Sequence, residues 1–260
     1  MIPFADDVEK FQRIQSVYAF DILTFGMTRW DALAKEFYPG APTKYMNRLR
    51  KLSVFDAKGA ATIYLDIDTV VLKDLSFLAE PLASGKADLI CTATANDPWV
   101  YNQTYKDHPK LRLSRRFSDG FFAFNPRKVD ADLAYNTIVA NKDLFLSVRA
   151  EVYSQPATNF VADMNSLQIG EVFRLFPNIS PQAWYNSPKL NWIDNQVVSD
   201  DGREVLFVHW AGPVEMSEKV RFRELFDTYC NRGRSRAVGH IWDDATESGD
   251  RSTGLSEDAV

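Results

Sequence analysis

Cysteine and histidine are scarce in this chain, with two and three in 260 residues. Cys91 and Cys230 lie in apolar or helical contexts with no metal-ligand spacing, so no disulfide framework or zinc cluster is expected. They read as reduced packing residues of a cytoplasmic protein. Basic charge is not in excess either. Thirty Lys and Arg against 35 Asp and Glu give a net charge of −5, and residues 243–260 hold six of the acids and one Arg. The body is therefore near neutral, and no basic field marks a nucleic-acid partner. No apolar run approaches the 18 residues of a transmembrane helix. The start, Met1 to Asp7, lacks the basic and apolar segments of a secretory signal. No internal repeat is visible.

Apolar and aromatic residues are plentiful. At 45% hydrophobic, with 18 Phe, 10 Tyr and 6 Trp, residues 1–240 are expected to bury one core as a single domain. Residues 241–260 read as an acidic, disordered tail. Helices are expected over Phe11 to Tyr18, Trp30 to Phe37, Lys44 to Phe55, Ala131 to Leu144, Thr158 to Phe173 and Ser217 to Cys230. Strands are expected at Phe20 to Phe25, Ala61 to Leu72, Ala87 to Thr94, Gly120 to Asn125 and Glu204 to Phe207. Such alternation predicts an α/β fold with a mostly parallel central sheet flanked by helices. Pro98 to Arg116 and Ile179 to Trp192 read as long aromatic loops beside a cleft.

The run Ala61 to Leu72 is the most informative. It is apolar enough for a buried strand, yet Asp66 and Asp68 interrupt it. Residues i and i+2 of a strand point to one side, about 6–7 Å apart. Ligands of open α/β sheets gather beyond the carboxyl ends of strands. Hard dications such as Mn²⁺ or Mg²⁺ take oxygen ligands there and bridge to phosphates. Two further segments open or follow strands, and a third lies on a helix. Asp119-Gly120 precedes Phe121-Phe-Ala-Phe-Asn125, and a glycine at a strand start suits close backbone approach. His209-Trp210-Ala211-Gly212 follows the last strand. Asp163 lies on the expected helix 158–173.

Together these segments resemble the GT-A nucleotide-sugar glycosyltransferases, and within them glycosyltransferase family 8, the glycogenin and lipopolysaccharide-galactosyltransferase group. Asp66-x-Asp68 resembles the family's DxD motif. Asp119 to Asn125 is similar to its donor-sugar strand, with Asp119 where a small residue is usual. Asp163-Met-Asn-Ser-Leu-Gln168 resembles its Asp-Gln-Asp-x-Leu-Asn motif, with Met164 and Asn165 as departures. His209 to Glu215 resembles His-x-x-Gly-x-x-Lys, with Glu215 at the Lys position. Arg48-Leu49 matches an upstream Arg-Leu near the diphosphate.

The resemblance implies a GT-A fold and a metal-dependent transfer from a UDP- or GDP-sugar to a glycan, lipid-linked saccharide or other hydroxyl acceptor. It further implies Mn²⁺ or Mg²⁺ held by Asp66, Asp68 and His209, and donor contacts from Arg48, Asp66, Gly120, Trp210 and Gly212. Asp163 or Asp119 would be the carboxylate beside the sugar. Only 19 residues precede Phe20, so the nucleotide-base strand expected of the family is shortened, degenerate (Ile2 to Asp7 at best) or elsewhere in the chain.

Two other readings fit parts of the chain. Asp66, Asp68 and Val70 match the first motif of haloacid-dehalogenase-type phosphatases, with Thr92 and Asp243-Asp244 as imitations of later ones. A GT-A-like domain that binds sugar or nucleotide without turnover is the third.

Overall fold

The computed structural model describes residues 12, 15, 22, 27–40, 47–94, 99–150, 154–194, 196–211, 220–229 and 231. Outside them lie most of the expected helix 11–18 and the expected strand 20–25. So do Gly212, Glu215, Cys230, Asp243, Asp244 and the acidic tail.

The described residues form an α/β structure around a mixed four-stranded sheet. Its strands are β1 (Thr62–Leu65), β3 (Leu89–Cys91), β4 (Phe121–Phe124) and β5 (Ile169–Glu171), in the order β1-β4-β3-β5. β4 runs antiparallel to both neighbours, and only β3 and β5 are parallel. The expectation of a mostly parallel sheet is therefore corrected. An apolar run such as Phe-Phe-Ala-Phe reports burial on both faces, and burial carries no information about strand direction.

Alternation along the strands divides the core. Phe122, Phe124, Leu89 and Cys91 pack into one apolar cluster with Trp30, Leu49, Phe55 and Phe160. Phe121, Ala123 and Ile90 face the other way, against Leu78, Leu82 and Phe207. Side chains of successive strand residues point to opposite faces, so one sheet serves two layers. Cys91 is buried, and burial pushes its thiol pKa up. It is a packing residue, as its apolar setting suggested.

The first layer holds α1 (Met27–Phe37), a 3-10 helix (Asn47–Asp56), α3 (Ala131–Ala140), α4 (Lys142–Val148) and α5 (Ser154–Met164). Shorter helices α2 (Ala79–Ala83) and α6 (Val172–Leu175) contribute Leu82 and Val172 to the cluster on the sheet's other face. At three residues per turn, 3-10 positions i and i+3 eclipse. Leu49, Leu52 and Phe55 thus form one buried line, with Arg48, Lys51 and Val54 on the next.

The helix expected over Thr158 to Phe173 is also corrected. It starts earlier, at Ser154, and stops at Met164. Ser166 takes a left-handed φ of 52°, and the Leu167 N–H reaches back to the Ala162 carbonyl at 2.9 Å. This is a six-to-one helix stop with serine where glycine is usual. The chain is then free to extend as β5 beside β3.

Two small sheets complete the fold. β2 (Thr69–Val71) pairs antiparallel with β8 (Phe207–His209), and β6 (Leu190–Ile193) pairs with β7 (Gln196–Ser199). They share a third apolar cluster, Val70, Leu190, Val208, Trp210, Phe222 and Leu225. The last two belong to the helical stretch over residues 223–229 and the turn before it. Ile179 to Trp192 is therefore only partly loop. Among the described residues, no helix is long and apolar enough to cross a membrane.

Candidate metal centre

The run 61–72 is not one strand. β1 ends at Leu65, the chain turns at Ile67 and Asp68, and β2 leaves in another sheet. Backbone hydrogen bonds hold both sides of the turn. Asp66 N–H donates to the Gly120 carbonyl at 2.9 Å, and Trp210 N–H donates to the Asp68 carbonyl at 2.9 Å. Ile67, between the carboxylates, is 81% exposed. The two Asp side chains converge because the backbone crosses between sheets there, not because a regular strand repeats every two residues.

β8 brings in the third group. Thr69 pairs with His209 across β2 and β8. His209 Nε2 lies 3.1 Å from Asp68 Oδ1 and 3.6 Å from Asp66 Oδ2. One potential ligand atom from each residue falls within 4.8 Å of the others. The imidazole is 5% exposed, whereas the Asp68 side chain is 41% exposed. The cluster is thus walled by His209 and open at Asp68.

The neighbours shape this arrangement. Gly120 lies beneath the imidazole, and a Cβ there would stand 2.3 Å from His209 Cε1 and 3.1 Å from Asp66 Oδ2. Only glycine leaves room for the ring. Trp184 stacks on His209, with centroids 5.1 Å apart and planes at 27°. The backbone of 183–185 fixes the histidine further, through His209 N to Ala183 O at 2.8 Å and Tyr185 N to His209 O at 3.1 Å.

Asp66 shows different partners on its two oxygens. Oδ2 faces His209, while Oδ1 accepts from Tyr64 OH at 2.7 Å and lies 3.0 Å from Lys51 Nζ. Lys51 also lies 3.2 Å from Asp119 Oδ1 and donates to the Asp119 carbonyl at 3.2 Å. Burial works to lower the Lys51 pKa, but Asp119 and Asp66 together outweigh it and raise it, so the ammonium stays charged. Burial and the Asp66 charge push the Tyr64 pKa up, which keeps its hydroxyl a donor. Asp119 is itself buried and accepts from Ser154 Oγ at 2.6 Å.

The donor set suits a hard or borderline dication: two carboxylates, one imidazole and an open side. One observation tests the fit directly. His209 Nε2 is buried and has no hydrogen-bond partner, although Asp68 lies within 3.1 Å. An orphaned buried polar nitrogen is costly. A buried imidazole nitrogen facing two carboxylates without a hydrogen bond is an arrangement that a cation between them would relieve.

The structure thus brings together Asp66, Asp68, His209, Gly120 and Asp119. Asp163 lies elsewhere. Ser154, at the first residue of α5, touches Asp119. Asp163 sits nine residues on, roughly 13 Å along the axis at helical rise. It accepts from Tyr101 OH at 2.7 Å. Burial raises its pKa to about 6 against the lowering by Tyr101, Ser114 and Arg116. Trp210 contributes its backbone N–H to the Asp68 turn, while its ring is buried, 5.8 Å from Phe226. Arg48 lies one 3-10 turn before Lys51, and it is Lys51 that reaches Asp66.

Lys51, Tyr64 and Ser154 carry no role in the sequence reading. Tyr64 could have been found from its place two residues before Asp66 on the same side of the strand, whereas Lys51 and Ser154 carry no local signal because their partners are distant in sequence. A cavity of about 690 Å³ opens far from the carboxylates, around Asp56, Lys58, Arg127 and Asp130 at the other ends of β1 and β4. Its basic and acidic side chains balance, and they name no ligand. Compared with protein-family models, curated proteins and solved structures, the chain matches none.

Proposed function

We propose that this protein is a metal-dependent glycosyltransferase of GT-A type, moving a sugar from a nucleotide-diphosphate donor to a glycan or other hydroxyl acceptor. The observation that carries the reading is the orphaned Nε2 of His209 facing Asp66 and Asp68. Asp66, Asp68 and His209 would hold Mn²⁺ or Mg²⁺. Such a dication, when bound, offsets the negative charge that develops on a leaving diphosphate.

The chain's own residues supply the surroundings. Tyr64 and Lys51 orient Asp66, and Ser154 and Lys51 hold Asp119. Exposed Ile67 and part-exposed Trp184 form an apolar rim beside the polar cluster, which suits the faces of a saccharide. A phosphatase reading would need Asp66 as a nucleophile. Its Oδ1 is instead shared between a tyrosine hydroxyl and an ammonium, which lowers its nucleophilicity. A binding protein without turnover is favoured by one observation, the placement of Asp163 beyond the cluster.

The test is thermal and enzymatic. UDP or GDP should raise the melting temperature only with Mn²⁺ or Mg²⁺ present, because a ligand specific to the folded state stabilises it. Asp68→Ala and His209→Ala should each abolish most of that shift, with the double variant scarcely worse, as groups acting as one unit are non-additive. Metal-dependent hydrolysis or transfer from a UDP- or GDP-sugar separates an enzyme from a binding protein. A nucleotide shift that persists in EDTA would defeat the metal reading.

A further inference from the structure

We infer that Lys51 is a built-in counter-cation on the metal-binding carboxylate, and that it holds the cluster's affinity for free dications down. The inference rests on the reading of Asp66, Asp68 and His209 as the metal ligands. Its basis is the division of Asp66 between two cations' positions. Oδ2 faces His209 at 3.6 Å, and Oδ1 lies 3.0 Å from the Lys51 ammonium. A dication bound at Oδ2 would leave Lys51 in place, roughly 5–6 Å away at ordinary metal–oxygen distances.

Lys51 is firmly held there. Asp119 Oδ1 and the Asp119 carbonyl both lie 3.2 Å from its nitrogen, and the ammonium stands 4.9 Å from the Tyr64 ring centroid. Its side chain is 15% exposed. An entering dication therefore meets a fixed positive charge that cannot swing out to solvent. Even at the dielectric constant of water, two charges and one at that separation reduce binding about tenfold. The consequence is a site that is weakly occupied by metal alone and filled when an anionic ligand adds its own charge.

The opposite sign would follow if Lys51 acted only by shaping the site. Removing a purely structural group weakens metal binding. Removing a repelling cation strengthens it, provided that Asp66 keeps its orientation. Tyr64 OH, 2.7 Å from Oδ1, supplies that orientation independently.

Titration with Mn²⁺ alone, followed by the electron paramagnetic resonance of the free ion, tests the inference. Lys51→Met keeps the length of the side chain over Tyr64 and removes the charge. It should bind Mn²⁺ at least about tenfold more tightly than the parent at low ionic strength. Lys51→Arg should remain near the parent. Should Lys51→Met fold poorly because Asp119 is left buried without a cation, Lys51→Met with Asp119→Asn removes that charge too and should still bind more tightly than Asp119→Asn alone. Equal or weaker binding in the folded charge-free variants, with binding in the parent intact, overturns the role of Lys51 alone. Absence of Mn²⁺ binding from the parent and every variant overturns the metal reading of the cluster and this inference with it.

Discussion

Asp163 and Asp66 show how far two carboxylates in one chain can differ. Asp66 accepts from Tyr64 and pairs with Lys51, while Asp163 sits where burial dominates and its pKa rises from 3.8 to about 6. A carboxyl whose folded pKa lies above its unfolded value favours the folded state while protonated. That contribution is complete below about pH 4 and is lost as the pH climbs through about 6. At about 1.4 kcal/mol per pH unit of displacement, the swing is on the order of 3 kcal/mol. The difference in urea-unfolding free energy between Asp163→Asn and the parent should therefore shift by that order, in favour of the variant, between pH 4 and pH 7. A constant difference would show that Tyr101 and Arg116 already hold the carboxylate charged.

At the scale of elements, α5 is the member that ties the site to the core. Its first residue, Ser154, holds Asp119, and about a turn and a half later Asn159 clamps the segment leading into Gly120. The Asn159 amide donates to the Phe117 carbonyl at 2.9 Å and accepts from the Phe117 N–H at 3.0 Å, fully buried. Asn159→Ala would strand both backbone groups without solvent. Each such group costs about 1–3 kcal/mol, so urea unfolding should report a loss of about 2–6 kcal/mol. A loss below about 1 kcal/mol would mean that water enters and replaces the amide.

At the scale of the whole fold, the described residues make a mixed sheet with two apolar faces and a satellite cluster around β2, β8 and the β6–β7 hairpin. The candidate centre lies at the seam, with Asp66 on the first sheet's end and His209 on the second sheet's edge. The parts should differ in local stability. β4 is buried at every residue and paired on both sides. The hairpin carries exposed Asn191, Ile193 and Gln196. Native-state hydrogen exchange in rising denaturant should show β3 and β4 amides opening only with global unfolding, and β6–β7 amides opening earlier by a local route. Simultaneous opening of both would mean that the satellite cluster belongs to the same cooperative unit.

Sequence alone determined what burial and turn chemistry write locally. Continuous apolar runs marked β3 and β4, and a helix opening at Ala131 was legible, although it breaks at Asn141 into α3 and α4. Asp66, Asp68 and His209 were singled out as a group that could hold a metal, and the fold does bring them together. Tertiary structure decided what depends on direction and on distant contacts. Hydrophobicity has no arrow, so the antiparallel course of β4 was not legible. A helix stop that uses serine in a left-handed turn at Ser166 lacks the usual glycine, so helix 154–164 read as starting late and running long. Lys51 looked like one of several basic residues on a helix. Its role exists only because the 3-10 turn carries it to Asp66 and Asp119, 15 and 68 residues away in the chain, where charge and burial act together.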